Sequence, residues 1–169
     1  MENKPLKRSK YMIALSHDHH AGLLFCWKIK EGLKKNIDLS RIKKYINFFW
    51  EDHLKQHFRE EETLLFSRLN DKFTGRAMEE HIVLTELINR LSADEKANDA
   101  DYLSFAELMV RHIRFEERVL FPHLEASLSI DTLVSVGGYL EKQPPFKDNY
   151  PDEFWRSAKV NRKNVNETA

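Results

Sequence analysis

HFREEETLLFSRL at 57–69 and HIRFEERVLFPHL at 112–124 decide how this chain reads. Aligned at an offset of 55 residues, the two stretches share seven of thirteen positions, and each sets a glutamate four residues after a histidine: His57/Glu61 and His112/Glu116. On an α-helix residues i and i+4 share one face, with side chains about 6 Å apart. Each stretch therefore offers an imidazole and a carboxylate to a common centre from one helix.

Helical phase says which face that is. At ~100° per residue, Ile46, Trp50, His53, Glu61 and Leu64 fall within ~40° of His57, and Phe105, Leu108, Glu116 and Val119 fall within ~40° of His112. The histidines and glutamates thus lie in the middle of apolar stripes, where burial without compensation costs several kcal/mol. All eight histidines of the chain lie between positions 17 and 123. His81 shares a face with Ala77, Thr85 and Ile88 and is a third inward histidine. In the first helical segment His17, Asp18, His19 and His20 are consecutive. His19 is in phase with Leu23, Cys26 and Leu33 and is favoured as inward; His20 is the alternative and His17 reads as solvated.

Working outward, four segments carry helical periodicity. The first follows Ser16 as N-cap and runs to about Leu33. The second runs from Ser40 to about Leu69, the third from Thr74 to about Leu91, and the fourth from Asp99 to Phe121, where Pro122 ends or kinks it. Short loops between long helices predict an all-α, up-down-up-down four-helix bundle over residues 11–128. Residues 129–169 read as an extended and short-helical C-terminal arm. Its helix over 129–142 is interrupted at Gly137–Gly138, and Pro144, Pro145 and Pro151 then impose an extended path. Phe146, Tyr150, Phe154 and Trp155 would anchor the arm on the bundle or on a protein partner, including a second copy. Residues before Tyr11 read as a loose arm, and those from about Ser157 as frayed.

Composition narrows the function classes. The 169 residues suit one domain. Lys plus Arg and Asp plus Glu are both 27, so a protein built to coat nucleic acid or a membrane surface is not expected. Five glycines and no GxGxxG, Walker or GxSxG pattern leave nucleotide-binding and hydrolase readings without their signatures. Cys26, the single cysteine, reads as a small apolar helix residue in a reducing compartment. With no apolar leader and no stretch long enough to span a bilayer, the cytoplasm is the expected location.

The inward set is one histidine per helix plus two glutamates. Nitrogen and oxygen donors without thiolate suit iron or manganese, and also zinc. Four imidazoles and two shared carboxylates would give each of two metals four protein ligands; a bridging oxygen makes five and leaves one position open. His53 is a further ligand or a hydrogen-bonding partner of one. His123, Glu60, Glu62 and Glu117 read as solvated, and Trp27, Phe48, Phe49 and Trp50 as packing.

On DHHAGLL at 18–24, HFREEETLLF at 57–66, EEHIVL at 79–84 and HIRFEERVLFP at 112–122, the chain resembles the hemerythrin-like, or HHE cation-binding, family. The resemblance covers residues 11–128 and implies two non-haem iron ions, bridged by an oxo group and by the carboxylates of Glu61 and Glu116. It implies that His19 (or His20) with His57 serves one iron, and His81 with His112 the other. Oxygen-carrying hemerythrins have a histidine where this chain has Ala77, and a His-x-x-x-x-Asp spacing where it has His112-x-x-x-Glu116. That departure points away from reversible oxygen carriage. The expected function is a di-iron protein handling oxygen, nitric oxide or iron, with a small diatomic molecule or peroxide as ligand. The alternatives are a di-iron redox enzyme, reducing peroxide or nitric oxide or repairing iron–sulfur clusters, and a metal-stabilised helical interaction module.

Overall fold

A computed structural model describes residues 8–160, and among them every regular element is helical. Helix α1 spans Ile13–Lys34. It begins one turn before the expected cap: Met12 is the N-cap, without a side-chain bond, and Ser16 lies inside the helix with its hydroxyl donating to Glu117. Asn36 ends the helix in the left-handed region (φ 56°), a conformation that asparagine tolerates nearly as well as glycine.

Helix α2 covers 39–68, capped by Asp38, whose side chain accepts from the Ser40 N–H. Helix α3, Lys72–Ala93, starts with a capping box: Asp71 accepts from the Thr74 N–H while the Thr74 hydroxyl accepts from the Asp71 N–H. Thr74 therefore completes the cap rather than being the N-cap. Asn98 and Asp101 form the same device at the start of α4, which covers 99–127. Helix α5, Ile130–Glu141, runs through Gly137–Gly138 without a break. A Cβ on Gly137 would stand 3.1 Å from the Tyr11 Cα, so the glycine there serves close approach rather than a bend.

Two of these helices contain π-helical turns: Trp50–Leu54 and Glu61–Leu65 in α2, and Glu116–Leu120 in α4. Each widened turn holds extra chain and moves the buried face by about one residue. Uniform phase assigns Trp50, Leu64 and Val119 to the inner face. The structure buries Phe49, Leu65 and Leu120 instead, leaving Trp50 and Leu64 half-buried and Val119 exposed. Pro122 follows the third π turn, in the first turn of the helical segment Phe121–Ser127, where its missing N–H is tolerated. It does not end the helix, and the Glu117 carbonyl five residues earlier accepts from the Arg8 guanidinium.

Around the interior, α1 packs on α2 and α4, and α3 packs on the same two helices. Two apolar clusters result. One gathers Phe25, Ile29, Tyr45, Phe49, Ile88 and Phe105; the other gathers Met12, Leu15, Leu65, Phe121, Leu124 and Val136. Helices α1 to α4 each contribute to both, so a level lies between them where all four pass.

Beyond α5 the chain lies across α1 and α2. Phe154 is fully buried against Gly32, where a Cβ would come within 2.7 Å of its ring. Asp148 accepts from Lys28 Nζ at 2.8 Å and from the Tyr45 hydroxyl, and Asp152 takes a bidentate pair from Arg41 at 2.7 and 2.9 Å. Two expectations change here. Arg8 and Ser9 are tied to Glu117 and Glu125 on α4, and Val160 N–H donates to the Lys35 carbonyl, so neither flank is loose at these positions. The rest of the expected loose and frayed ends, residues 1–7 and 161–169, lies outside the described residues. No described helix is long and apolar enough to cross a membrane.

Candidate metal centre

Between the two apolar clusters, His19 from α1, His57 and Glu61 from α2, His81 from α3, and His112 and Glu116 from α4 converge. All six are buried, the two glutamates completely. They form two groups that share both carboxylates: His19, His57, Glu61 and Glu116, and His81, His112, Glu61 and Glu116. In the first, His19 Nε2 lies 2.8 Å from Glu116 Oε2 and 3.4 Å from Glu61 Oε2, and His57 Nε2 lies 3.0 Å from Glu61 Oε1. In the second, His112 Nε2 lies 3.0 Å from Glu116 Oε1, while His81 Nε2 lies 3.3 Å from Glu116 Oε1 and 3.4 Å from Glu61 Oε1.

Close as they are, most of these atoms do not meet in hydrogen-bond alignment. Nε2 of His19, His81 and His112 and both carboxylate oxygens of Glu61 and Glu116 are buried without a partner. Seven orphaned polar atoms at one point would cost a folded protein dearly unless something else satisfied them. A cation does. Two donor atoms each about 2.1 Å from one ion, at right angles across it, stand about 3.0 Å apart, which is the spacing found.

The other nitrogen of each of these four histidines is taken. His19 Nδ1 pairs with Glu117 at 2.6 Å, His57 Nδ1 with Asp18 at 3.0 Å, His81 Nδ1 with Glu62 at 2.8 Å and His112 Nδ1 with Glu80 at 3.2 Å. An Nδ1–H donated to a carboxylate leaves the Nε2 lone pair facing inward and makes it more basic, the arrangement by which metal-binding histidines are oriented. Glu62 and Glu117 are thus not simply solvated. A signal for them existed in the repeat, since each inner glutamate is followed directly by a second one; Asp18 and Glu80 directly precede His19 and His81. Glu60, also expected at the solvated face, is buried and accepts from Gln56.

The electrostatics fit a self-neutralising cluster. Burial by itself would lower each imidazole pKa, but neighbouring carboxylates override it. Glu116, Glu117 and Glu61 hold His19 well above its ordinary value, and Glu116, Glu61 and Glu62 do the same for His81. Against the same burial, the Glu61 charge and Asp18 carry His57 to about 9, and Glu116 with Glu80 raises His112. Burial and the Glu116 charge push Glu61 up, yet His57 and His19 pull it down to about 2. Protons and metal cations would therefore compete for the same Nε2 positions.

The structure separates the two first-helix alternatives: His19 is inside the cluster, while His20 faces solvent, as does His17. Ala77 is fully buried among apolar side chains. His53 belongs to neither group. Its ring stacks on Phe146 at 4.1 Å between centroids, and burial lowers its pKa to about 4. His123 is half-buried and pairs with Asp71 at 2.6 Å, clear of the centre. Cys26 is buried, which raises its thiol pKa to about 12 and makes it unreactive. Trp27 departs from its expected packing role and is half exposed.

Compared with known proteins, residues 11–124 match the sequence model of a family described as the hemerythrin HHE cation binding domain. No curated protein and no solved structure matches the chain.

Proposed function

The chain belongs to the hemerythrin HHE cation-binding domain family, and from that premise we propose that it is a carboxylate-bridged di-iron protein handling oxygen, nitric oxide or iron itself. One observation carries the reading: seven buried donor atoms lack partners and fall into two groups sharing Glu61 and Glu116. His19 and His57 would hold one ion, His81 and His112 the other, with Glu61 and Glu116 common to both. Bound iron would supply redox chemistry and an open position for a small diatomic molecule or peroxide.

The chain's own residues do the rest. Asp18, Glu62, Glu80 and Glu117 fix the imidazole tautomers and spread negative charge around the centre. Phe121 stacks on His19 and Phe58 on His81, excluding water from two of the four imidazoles. We read the scaffold as residues 11–128 in up-down-up-down order. The support is that one apolar cluster takes the late part of α1 and α3 but the early part of α2 and α4. Residues 129–169 are the added arm, and the cytoplasm is the proposed location.

Anaerobic loading of metal-stripped protein with ferrous ion tests this reading: about two ions per chain are expected, and no iron uptake would overturn it. Steady-state turnover of peroxide or nitric oxide by the loaded protein would move the conclusion to the enzyme alternative.

A further inference from the structure

The four histidines of the centre do not face equal surroundings. His19 is covered by Phe121, with ring centroids 5.0 Å apart. Phe58 stacks on His81 at 3.9 Å and meets His112 edge-on at 5.9 Å. On the His57 side there is instead a cavity of about 670 Å³, with His57 and its partner Asp18 in its wall. Phe146, from the segment after α5, closes one side of it by stacking on His53.

The chemistry of that cavity is one-sided. Among the described residues, Asp18, Asp52, Glu60 and Glu141 line it, against a single cation, Lys147. His53 is 7% exposed and lines the same space. Its Nε2 stands 3.9 Å from Asp18 Oδ1, too far for a hydrogen bond, whereas two ligands of one cation can sit that far apart. Among the described residues no third group of three ligands forms here. The cavity can therefore attract and pass a cation without storing one.

Resting on the di-iron reading, we infer that this cavity is the port through which a divalent cation reaches the centre, drawn in by Asp52 and Glu141 at the mouth and relayed by His53 and Asp18 to His57. A wall of one sign with apolar sides raises the local cation concentration and the rate of capture by about 10- to 1,000-fold, an effect that falls steeply with salt. None of the six inner ligands belongs to the mouth, so at saturating cation the number of ions held is unchanged. The port thus controls how fast the centre fills and not how much it holds.

Stopped-flow uptake of ferrous ion by anaerobic, metal-stripped full-length protein tests this, with the final stoichiometry read on the same samples. Two double variants are compared: Asp52→Asn with Glu141→Gln at the mouth, and Glu79→Gln with Glu107→Gln, exposed residues outside the cavity. The mouth variant is expected to load at least tenfold more slowly at low salt, to lose most of its salt dependence, and to reach the same number of ions per chain. The outside variant is expected to load at the wild-type rate. A plugging variant, Ala21→Phe in the cavity wall, should slow loading at every salt concentration. Equal loading rates for the mouth and outside variants, or an unplugged rate in Ala21→Phe, would overturn the port while leaving the centre standing. Absence of uptake by the wild type would overturn the di-iron reading, and the port with it.

Discussion

Replacing Glu117 by glutamine probes how much the outer carboxylates contribute to cation binding. Glu117 Oε1 lies 2.6 Å from His19 Nδ1 and also accepts from the Ser16 hydroxyl at 2.8 Å, while Oε2 takes the Arg8 guanidinium at 2.9 Å. Glu117→Gln keeps the size and one acceptor oxygen. It removes the negative charge behind His19 and turns an amide N–H₂ toward a donor that is already there. Loss of a carboxylate behind a metal-ligating histidine weakens binding about 10- to 100-fold. The short contact and the two further donors place Glu117→Gln at the upper end, about 100-fold or ~2.7 kcal/mol in affinity. Glu80 lies 3.2 Å from His112 Nδ1, and among the described residues Arg76, at 3.4 Å, is its one further donor. Glu80→Gln belongs at the lower end, about tenfold or ~1.4 kcal/mol. The assay is anaerobic titration of ferrous ion against a competing chelator, with far-ultraviolet circular dichroism confirming the fold. Wild-type affinity in Glu117→Gln, or a larger loss in Glu80→Gln, would show that the outer carboxylates do not set the affinity of the centre.

The remaining expectations concern pH and packing. The raised imidazole pKa values, to about 9 for His57, favour the metal-free fold fully below the unfolded value of ~6.5, and that support is lost as pH rises through about 9. The depressed Glu61 pKa, about 2, adds stability that is present above the unfolded carboxylate value of ~4.5 and is lost as pH falls toward 2. Metal-free protein should therefore unfold at its highest temperature between about pH 4.5 and 6.5, and the gain on adding ferrous ion should grow from about pH 6 to pH 8; a larger gain at the lower pH would contradict this. Gly32→Ala brings a methyl within 2.7 Å of Phe154 and 3.1 Å of Ile42, and should cost about 1–3 kcal/mol while exposing residues 143–153 to protease; a neutral effect on both would count against the seating of the arm. Leu65→Ala should cost about 2–5 kcal/mol in denaturant unfolding and Leu64→Ala about 1 kcal/mol, because the π turn buries the former and leaves the latter half-buried; the reverse order would show that α2 keeps uniform phase.

How far the sequence could be read depends on which property each residue expresses. The shared faces of His57 with Glu61 and of His112 with Glu116 follow from spacing, because i,i+4 pairs share a face whatever surrounds them, and the apolar residues in phase with these pairs and with His81 turn all five inward. Uniform phase holds for Ile46 and Phe105, both buried, and fails at three positions inside the π turns. On a uniform helix Trp50, Leu64 and Val119 face inward, and the three π turns move the burial to Phe49, Leu65 and Leu120. No local propensity marks such a turn, since it arises where the cluster of charged side chains and the surrounding packing need another register. Phase with Leu23, Cys26 and Leu33 favours His19 over His20, and the carboxylates of Glu61, Glu116 and Glu117 around its ring show that it points inward. The outer carboxylates were missed for a related reason: in a helical projection Glu62 and Glu117 lie about 100° from their inner neighbours and look solvated. They reach a histidine on another helix, a contact between elements that no single-helix projection contains.

Diffraction from crystals of the iron-loaded protein, with anomalous differences measured at the iron absorption edge, would test the account most directly. It predicts two peaks inside the bundle, one among His19, His57 and the two shared glutamates, the other among His81, His112 and the same glutamates. A single peak, or iron found only on side chains outside these six residues, would contradict it.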